Sequence, residues 1–187
     1  ENKGSEKYDG AAKTVTGYTV SIDNELYTVD DFTFSGNDKV TGTDAGSYDM
    51  KLKPEDFTNT SENFTNVAFV IVDGTLEISK RSVTLTSSDS TKVYDGEALT
   101  NNEVTVGGDG FADGEGATYD VTGTQTAVGS SANTFSYTLN EGTKAANYDI
   151  KTTEGTKKLT ALTDKVTGTI KKNNGSEKYD GQEKTER

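Results

Sequence analysis

The sequence contains no cysteine and no histidine, and Pro54 is its one proline. Without cysteine there is no disulfide and no thiolate metal site, and the chain carries no cysteine record of its redox compartment. Without histidine it lacks the commonest general base and metal ligand. Apolar residues are scarce too: hydrophobic types make up 30%, mean hydropathy is -0.73, and Leu, Ile, Val and Phe together number 34 of 187. With a net charge of -12, that composition borders on the disordered class. No run of about 20 apolar residues, no signal-peptide pattern and no lipidation signal is visible. The acidic balance, with a pI near 4.4, repels phosphate backbones and anionic lipid, which excludes nucleic acid and membrane contact as expected partners of this segment.

What the chain does have argues for order. It holds 31 Thr, 14 Val, 9 Tyr and 7 Phe, the β-branched and aromatic types that suit a pleated, half-buried surface. It also repeats. GSEKYDG stands at Gly4 to Gly10 and again at Gly175 to Gly181, and YDG recurs at Tyr8, Tyr94 and Tyr179, spaced 86 and then 85 residues apart. Between these marks FTFSG (32–36) aligns with YDVTG (119–123), and residues 40–52 with 127–139, placing AGSY against ANTF. DGTLEI (73–78) aligns with EGTKKL (154–159). The chain therefore reads as two full periods and the start of a third.

Short alternating runs predict strands: TVSI (19–22), YDMKL (48–52), VTLT (83–86), EVTV (103–106) and TFSYTL (134–139), the last with Phe135, Tyr137 and Leu139 on one face. DG pairs at Asp9, Asp73, Asp95, Asp109, Asp113 and Asp180 are turn signals. KPEDF (53–57) predicts a turn or one helical turn, and VAFVIV (67–72) a strand buried on both faces. The expected fold is mainly β, two tandem small β-sandwich (Ig-like) modules, with β-grasp as the alternative, disfavoured for want of a helix of about ten residues. The expected domains are residues 1–80, lacking an entry strand, residues 81–162, and a truncated third repeat over 163–187. SKRS (79–82) contains neither Gly nor Pro, so the joint should be short and stiff. Val166 to Ile170 should pair with an open sheet edge, including one on a neighbouring molecule, or remain unpaired.

Candidates for chemistry are few. The acidic pairs Asp30/Asp31 and Glu55/Asp56 are what 31 acidic residues produce by chance, and no nucleophile has a histidine beside it, so no catalytic residue is assigned. The loop GGDGFADGEG (107–116) offers Asp109, Asp113 and Glu115 as a calcium candidate, without the EF-hand spacing, against the simpler reading of an acidic loop with two turns. No cofactor is expected. A sugar-stacking role for Tyr8, Tyr94 and Tyr179 competes with the favoured reading, a corner residue whose hydroxyl finds a backbone partner, with Asp9, Asp95 and Asp180 and Gly10, Gly96 and Gly181 completing the turn. A Lys to Asn isopeptide crosslink would need both groups and an acid buried together.

KxYDG at the start of the period, AGSY or ANTF before a strand, NYDI (147–150) and the closing GTLEI together resemble the MBG and YDG-type tandem repeats of large bacterial cell-surface proteins. Lys157, Lys158 and Ala161 depart from the pattern, where an apolar strand residue and a linker residue are usual. The resemblance implies an extracellular, cell-wall-attached β module, non-catalytic, whose partners are neighbouring repeats of the same chain. Its alternative implication is a direct adhesion module for mucin glycans or a host protein.

Overall fold

The computed structural model describes residues 3–183 and 185. The β-rich composition becomes fifteen short strands and three 3-10 helices of three residues each, at Val29–Asp31, Pro54–Asp56 and Ala145–Asn147. The KPEDF segment is the second of these. No ten-residue helix exists among the described residues, as expected for the sandwich reading over the β-grasp.

The first seven strands are β1 (Lys3–Lys7), β2 (Lys13–Thr16), β3 (Phe32–Phe34), β4 (Lys39–Gly42), β5 (Gly46–Asp49), β6 (Phe57–Asn59) and β7 (Thr75–Ser79). β7 lies between β1, to which it is parallel, and β5, to which it is antiparallel. β2 pairs with β4 and β3 with β6. The next eight are β8 (Arg81–Ser87), β9 (Ser90–Val93), β10 (Val104–Gly108), β11 (Ala117–Val121), β12 (Gly129–Ala132), β13 (Phe135–Leu139), β14 (Tyr148–Thr153) and β15 (Thr156–Thr160). They form the sheets β10-β8-β14 and β12-β15-β9 and the pair β11-β13. Every described strand pairing falls within residues 3–79 or within 81–160, referred to below as the first and second modules. These are several small sheets, none closed into a barrel, a β-sandwich type of architecture.

Two parallel ladders, β8 with β14 and β9 with β15, share one register: Arg81 faces Tyr148 and Ser90 faces Lys157, the same offset in both. Residues 81–93 and 148–160 thus run side by side as two long strands, each bending from one sheet to the next. Period-2 patterning sets which side chains enter the core. In β7 Leu76 and Ile78 point in while Thr75 and Glu77 point out, and in β8 Val83, Leu85 and Ser87 are buried.

The turns behave as their residues demand. Gly10, Gly96 and Gly181, the last residues of the three YDG units, share φ values of 84°, 86° and 84°, a left-handed conformation that side-chain-bearing residues resist. In each unit the aspartate carboxylate accepts the N–H two residues on: Asp9 from Ala11, Asp95 from Glu97, Asp180 from Gln182. Gly110 and Gly114 are also left-handed, but Gly74 is not; Asp73 instead accepts from the N–H groups of Lys51 and Leu52.

Three sequence expectations require correction. AGSY does not match ANTF. Gly46 (φ 155°) and Gly129 (φ 140°) each open the strand that pairs with the last strand of its module, facing Ile78 and Leu159, so AGSY corresponds to VGSS (128–131). TVSI forms no strand, and neither does VAFVIV, whose Val70 is 89% exposed rather than buried on both faces. The physical reason for the last two is a missing neighbour. Their counterparts in the second module, residues 104–108 and 148–153, flank the central strand β8, and no described strand of the first module occupies that place.

The buried cluster is continuous from one module to the next. Tyr8, Val40, Met50, Leu76 and Ile78 of the first module join Val83, Leu85, Ala112 and Tyr148 of the second.

Candidate functional site

β7 ends at Ser79 and β8 starts at Arg81, so Lys80 alone separates a strand of one module from a strand of the next. At this joint the acidic loop 109–115 of the second module folds back over the first YDG turn. Arg81 holds the loop: its Nε donates to the carbonyl of Gly110 and its Nη2 to that of Asp109, both at 2.8 Å, while Nη1 reaches the carbonyl of Tyr8 at 3.3 Å. A planar guanidinium spreads its donors over a rigid fork that reaches three carbonyls from three separate nitrogens, whereas a lysine ammonium carries all its donors on one atom. Lys7 crosses the joint to Asp109 Oδ1 at 2.8 Å, and Asp109 Oδ2 accepts the N–H of Ser82. The Lys7 hydrogen bond, followed by that of Ser82, holds the Asp109 carboxyl below the usual carboxylate range.

The centre of the joint is a carboxylate shared by two phenols. Tyr8, 4% exposed, donates its hydroxyl to both oxygens of Glu115, at 2.9 and 3.0 Å. Tyr148 donates to Glu115 Oε2 at 2.6 Å and accepts from the N–H of Ala112 at 3.0 Å. The two rings meet edge to face, their centroids 5.6 Å apart, and Phe111 packs on Tyr148 at 5.2 Å. Burial, then the hydrogen bond to Glu115, pushes the Tyr148 phenol up to about 12; the same two causes in the same order raise Tyr8. A second contact lies on the 3-10 helix before β14. Asp44 accepts from Lys144 Nζ at 2.8 Å and from Asn147 Nδ2 at 3.0 Å, and Asn147 Oδ1 accepts the N–H of Ala45 at 2.8 Å. Lys144, then Asn147, draws the Asp44 carboxyl down, and Asp44 in turn raises Lys144.

The three signature tyrosines therefore stand in different surroundings. Tyr8 is consumed in the joint, with a carboxylate as its hydroxyl partner rather than the backbone group expected. Tyr94 makes the same backbone contact, its N–H donating to the carbonyl of Thr160 as that of Tyr8 donates to Ser79, yet the residue is 42% exposed. Tyr179 is exposed, and residues 161–183 form no strand. Tetranitromethane should accordingly nitrate Tyr94 and Tyr179 and spare Tyr8 and Tyr148, a pattern that peptide mapping by mass spectrometry reads directly.

The calcium candidate is dispersed by the same contacts. Asp109 is engaged with Lys7 and Ser82 and Glu115 with the two phenols, and no group of three or more acidic side chains positioned to hold a metal ion occurs among the described residues. Lys157 of β15 and Asn133, the residue after β12, are both buried, but among the described residues no aspartate or glutamate is buried to assist a crosslink between them. Sequence reasoning missed Glu115 and Tyr148 as a pair. Their only signals were an acid inside a turn-rich loop and an aromatic after Asn147, neither of which points to the other.

Residues 1–80 match the family model described as MBG domain. The first module is thus similar to an MBG-type repeat. MBG domains are repeat domains that occur in surface proteins and are not a known enzyme family. No curated protein and no solved structure matches the chain. Among the described residues, no helix is long and apolar enough to cross a membrane.

Proposed function

We propose that this chain, whose residues 1–80 match the MBG domain model, is a non-catalytic stalk segment of an extracellular, cell-wall-attached bacterial surface protein that holds a distal adhesive region away from the wall. One observation supports the reading above the others. The modules meet through a single linking residue, a shared buried cluster and the Tyr8–Glu115–Tyr148 hydrogen bonds, with no flexible linker between them. A spacer must transmit position along its length, and a joint with fixed side chains does so where a glycine-rich linker would not.

The far end of the second module repeats the near side of such a joint. Val93, Tyr94 and Val128, all well exposed, gather where the next repeat would dock, and Tyr94 takes the place that Tyr8 has at the occupied joint. The neighbouring repeats of the same chain are therefore the principal partners.

Small-angle X-ray scattering of the chain should give one elongated particle whose shape is unchanged by moderate salt, with no retention on mucin and no signal on a glycan array. A flexible pair of beads would overturn the stalk reading. Specific glycan or mucin binding would replace it with direct adhesion.

A further inference from the structure

We propose that the second module is a load-bearing shear clamp, in which tension along the chain is carried sideways between its first and last strands. That such tension arises in service rests on the stalk reading; the clamp is a property of the strands themselves. The chain enters the module at Arg81 and leaves it at Thr160, and the strands that begin and end it run parallel. β8 and β14 are matched over six residue pairs, from Arg81 with Tyr148 to Thr86 with Thr153, and β9 and β15 over four, from Ser90 with Lys157 to Val93 with Thr160. Arg81 therefore lies at the joint end of this double strand and Thr160 at the far end. A pull on the chain draws the two strands past each other lengthwise, so every hydrogen bond between them bears load at once. Had the last strand run antiparallel to the first, entry and exit would share one end and the bonds would open one after another.

Neither long strand can slip away as an edge. Residues 81–87 are the middle strand of their sheet, between β10 and β14, whereas residues 90–93 lie at the edge of the other. Residues 148–153 and 156–160 have these places exchanged, β14 at an edge and β15 between β12 and β9. Removing either one means breaking two ladders along part of its length.

The bend between the two sheets is stitched as well. Ladder pairing lapses there, and side chains take over the N–H groups of the last strand: the Ser87 hydroxyl accepts from Gly155 at 3.0 Å and Asp89 Oδ1 accepts from Thr156 at 2.7 Å. The backbones also touch. A Cβ on Gly155 would stand 2.5 Å from the carbonyl oxygens of Ser87 and Ser88, which leaves no room for a side chain. A slip of one residue would bring Glu154 into that contact and turn the buried Leu159 outward. In the first module β1 and β7 form the same outer ladder, Gly4 facing Leu76 as Ser90 faces Lys157. Load leaving β7 at Ser79 passes through Lys80 straight into β8.

Because the chain has no cysteine, force handles can be attached at chosen residue pairs in the full chain. Lys80→Cys with Leu162→Cys, both exposed, pulls the second module along its strands. Val93→Cys with Leu162→Cys pulls at the far end alone and opens β9 from β15 like a zipper. Forced unfolding reports a rate under load rather than an equilibrium, so two directions through one fold can differ. In optical tweezers the first pair should hold to a several-fold higher force than the second at the same loading rate. Asp89→Ala, at an exposed position, removes the acceptor for Thr156 and should lower the first force and spare the second, since shear sums over all the bonds and a zipper senses only its leading one. Equal forces in the two directions, or a lengthwise force indifferent to Asp89→Ala, would overturn the clamp and leave the scattering and glycan measurements of the stalk reading untouched. Glycan binding would replace the stalk and leave the force difference in place.

Discussion

Replacing Lys157 by leucine should stabilise the second module by about 1–3 kcal/mol, raising its melting temperature by several degrees. Lys157 is 0% exposed, and its Nζ has no hydrogen-bond partner. Burying a charged or neutral amine without a partner is costly, and replacement by an apolar side chain of similar volume removes the cost. The first module supplies the control in the same molecule. Counting from Gly74 and Gly155, the residue at the place of Lys157 is Leu76, 1% exposed, and the strand neighbours Ile78 and Leu159 are buried in the same way. Titration adds a second, independent readout. Desolvation lowers the Lys157 pKa below the 10.5 of an exposed lysine. Because the folded value is the lower one, the penalty is complete below it, shrinks as pH rises, and is gone above 10.5. Urea melts of the natural chain between pH 7 and 10 should therefore show stability climbing with pH in a component that Lys157→Leu lacks. Equal or lower stability in Lys157→Leu would contradict this account.

Glu115→Ala should separate the two modules. The substitution leaves two buried phenol hydroxyls without their acceptor, at a cost of about 2–4 kcal/mol to the joint. Calorimetry of the natural chain should give one transition, because the buried cluster is continuous; in Glu115→Ala it should split in two, with Glu115→Gln intermediate since one oxygen remains. Alkali should act at the same place. The folded pKa of Tyr148 is raised to about 12 from 10.0, and Tyr8 moves in the same direction. A raised phenol stabilises the joint fully below pH 10, and that stabilisation is lost as pH climbs from 10 through about 12. Scattering at pH 7 and at pH 11.5 should thus show a fixed pair of modules loosening, and Tyr148→Phe should remove much of the pH dependence while weakening the joint at neutral pH. A single unchanged transition in Glu115→Ala would show that apolar contact alone couples the modules.

Both experiments turn on residues whose importance was unequally visible. Lys157 announced itself, because the repeat places an apolar residue at that position and a lysine there breaks the pattern. Glu115 did not. In a chain with 31 acidic residues an acid in a glycine-rich loop looks like solvent-facing charge or a cation ligand, and only folding brings Tyr8, 107 residues away, onto its carboxylate.

By itself the sequence determined what depends on neighbours along the chain. Alternating β-branched and aromatic residues made strands, aspartate-glycine pairs in the three YDG units made the same left-handed turn three times, and strand pairing divides at Lys80, within one period of about 86 residues on either side. Tertiary structure decided everything that depends on who sits alongside. VAFVIV has a better strand pattern than YDIKTT, yet YDIKTT is the one that forms a strand, because β8 lies beside it to receive its hydrogen bonds. Tyr8 and Tyr94 occupy equivalent turns, and one is buried while the other faces water because, among the described residues, only Tyr8 has Glu115 and Tyr148 of another module packed against it. Backbone torsions are local properties of residues, whereas hydrogen-bond satisfaction and burial belong to pairs, and in this protein the second member of each decisive pair lies in another sheet or another module.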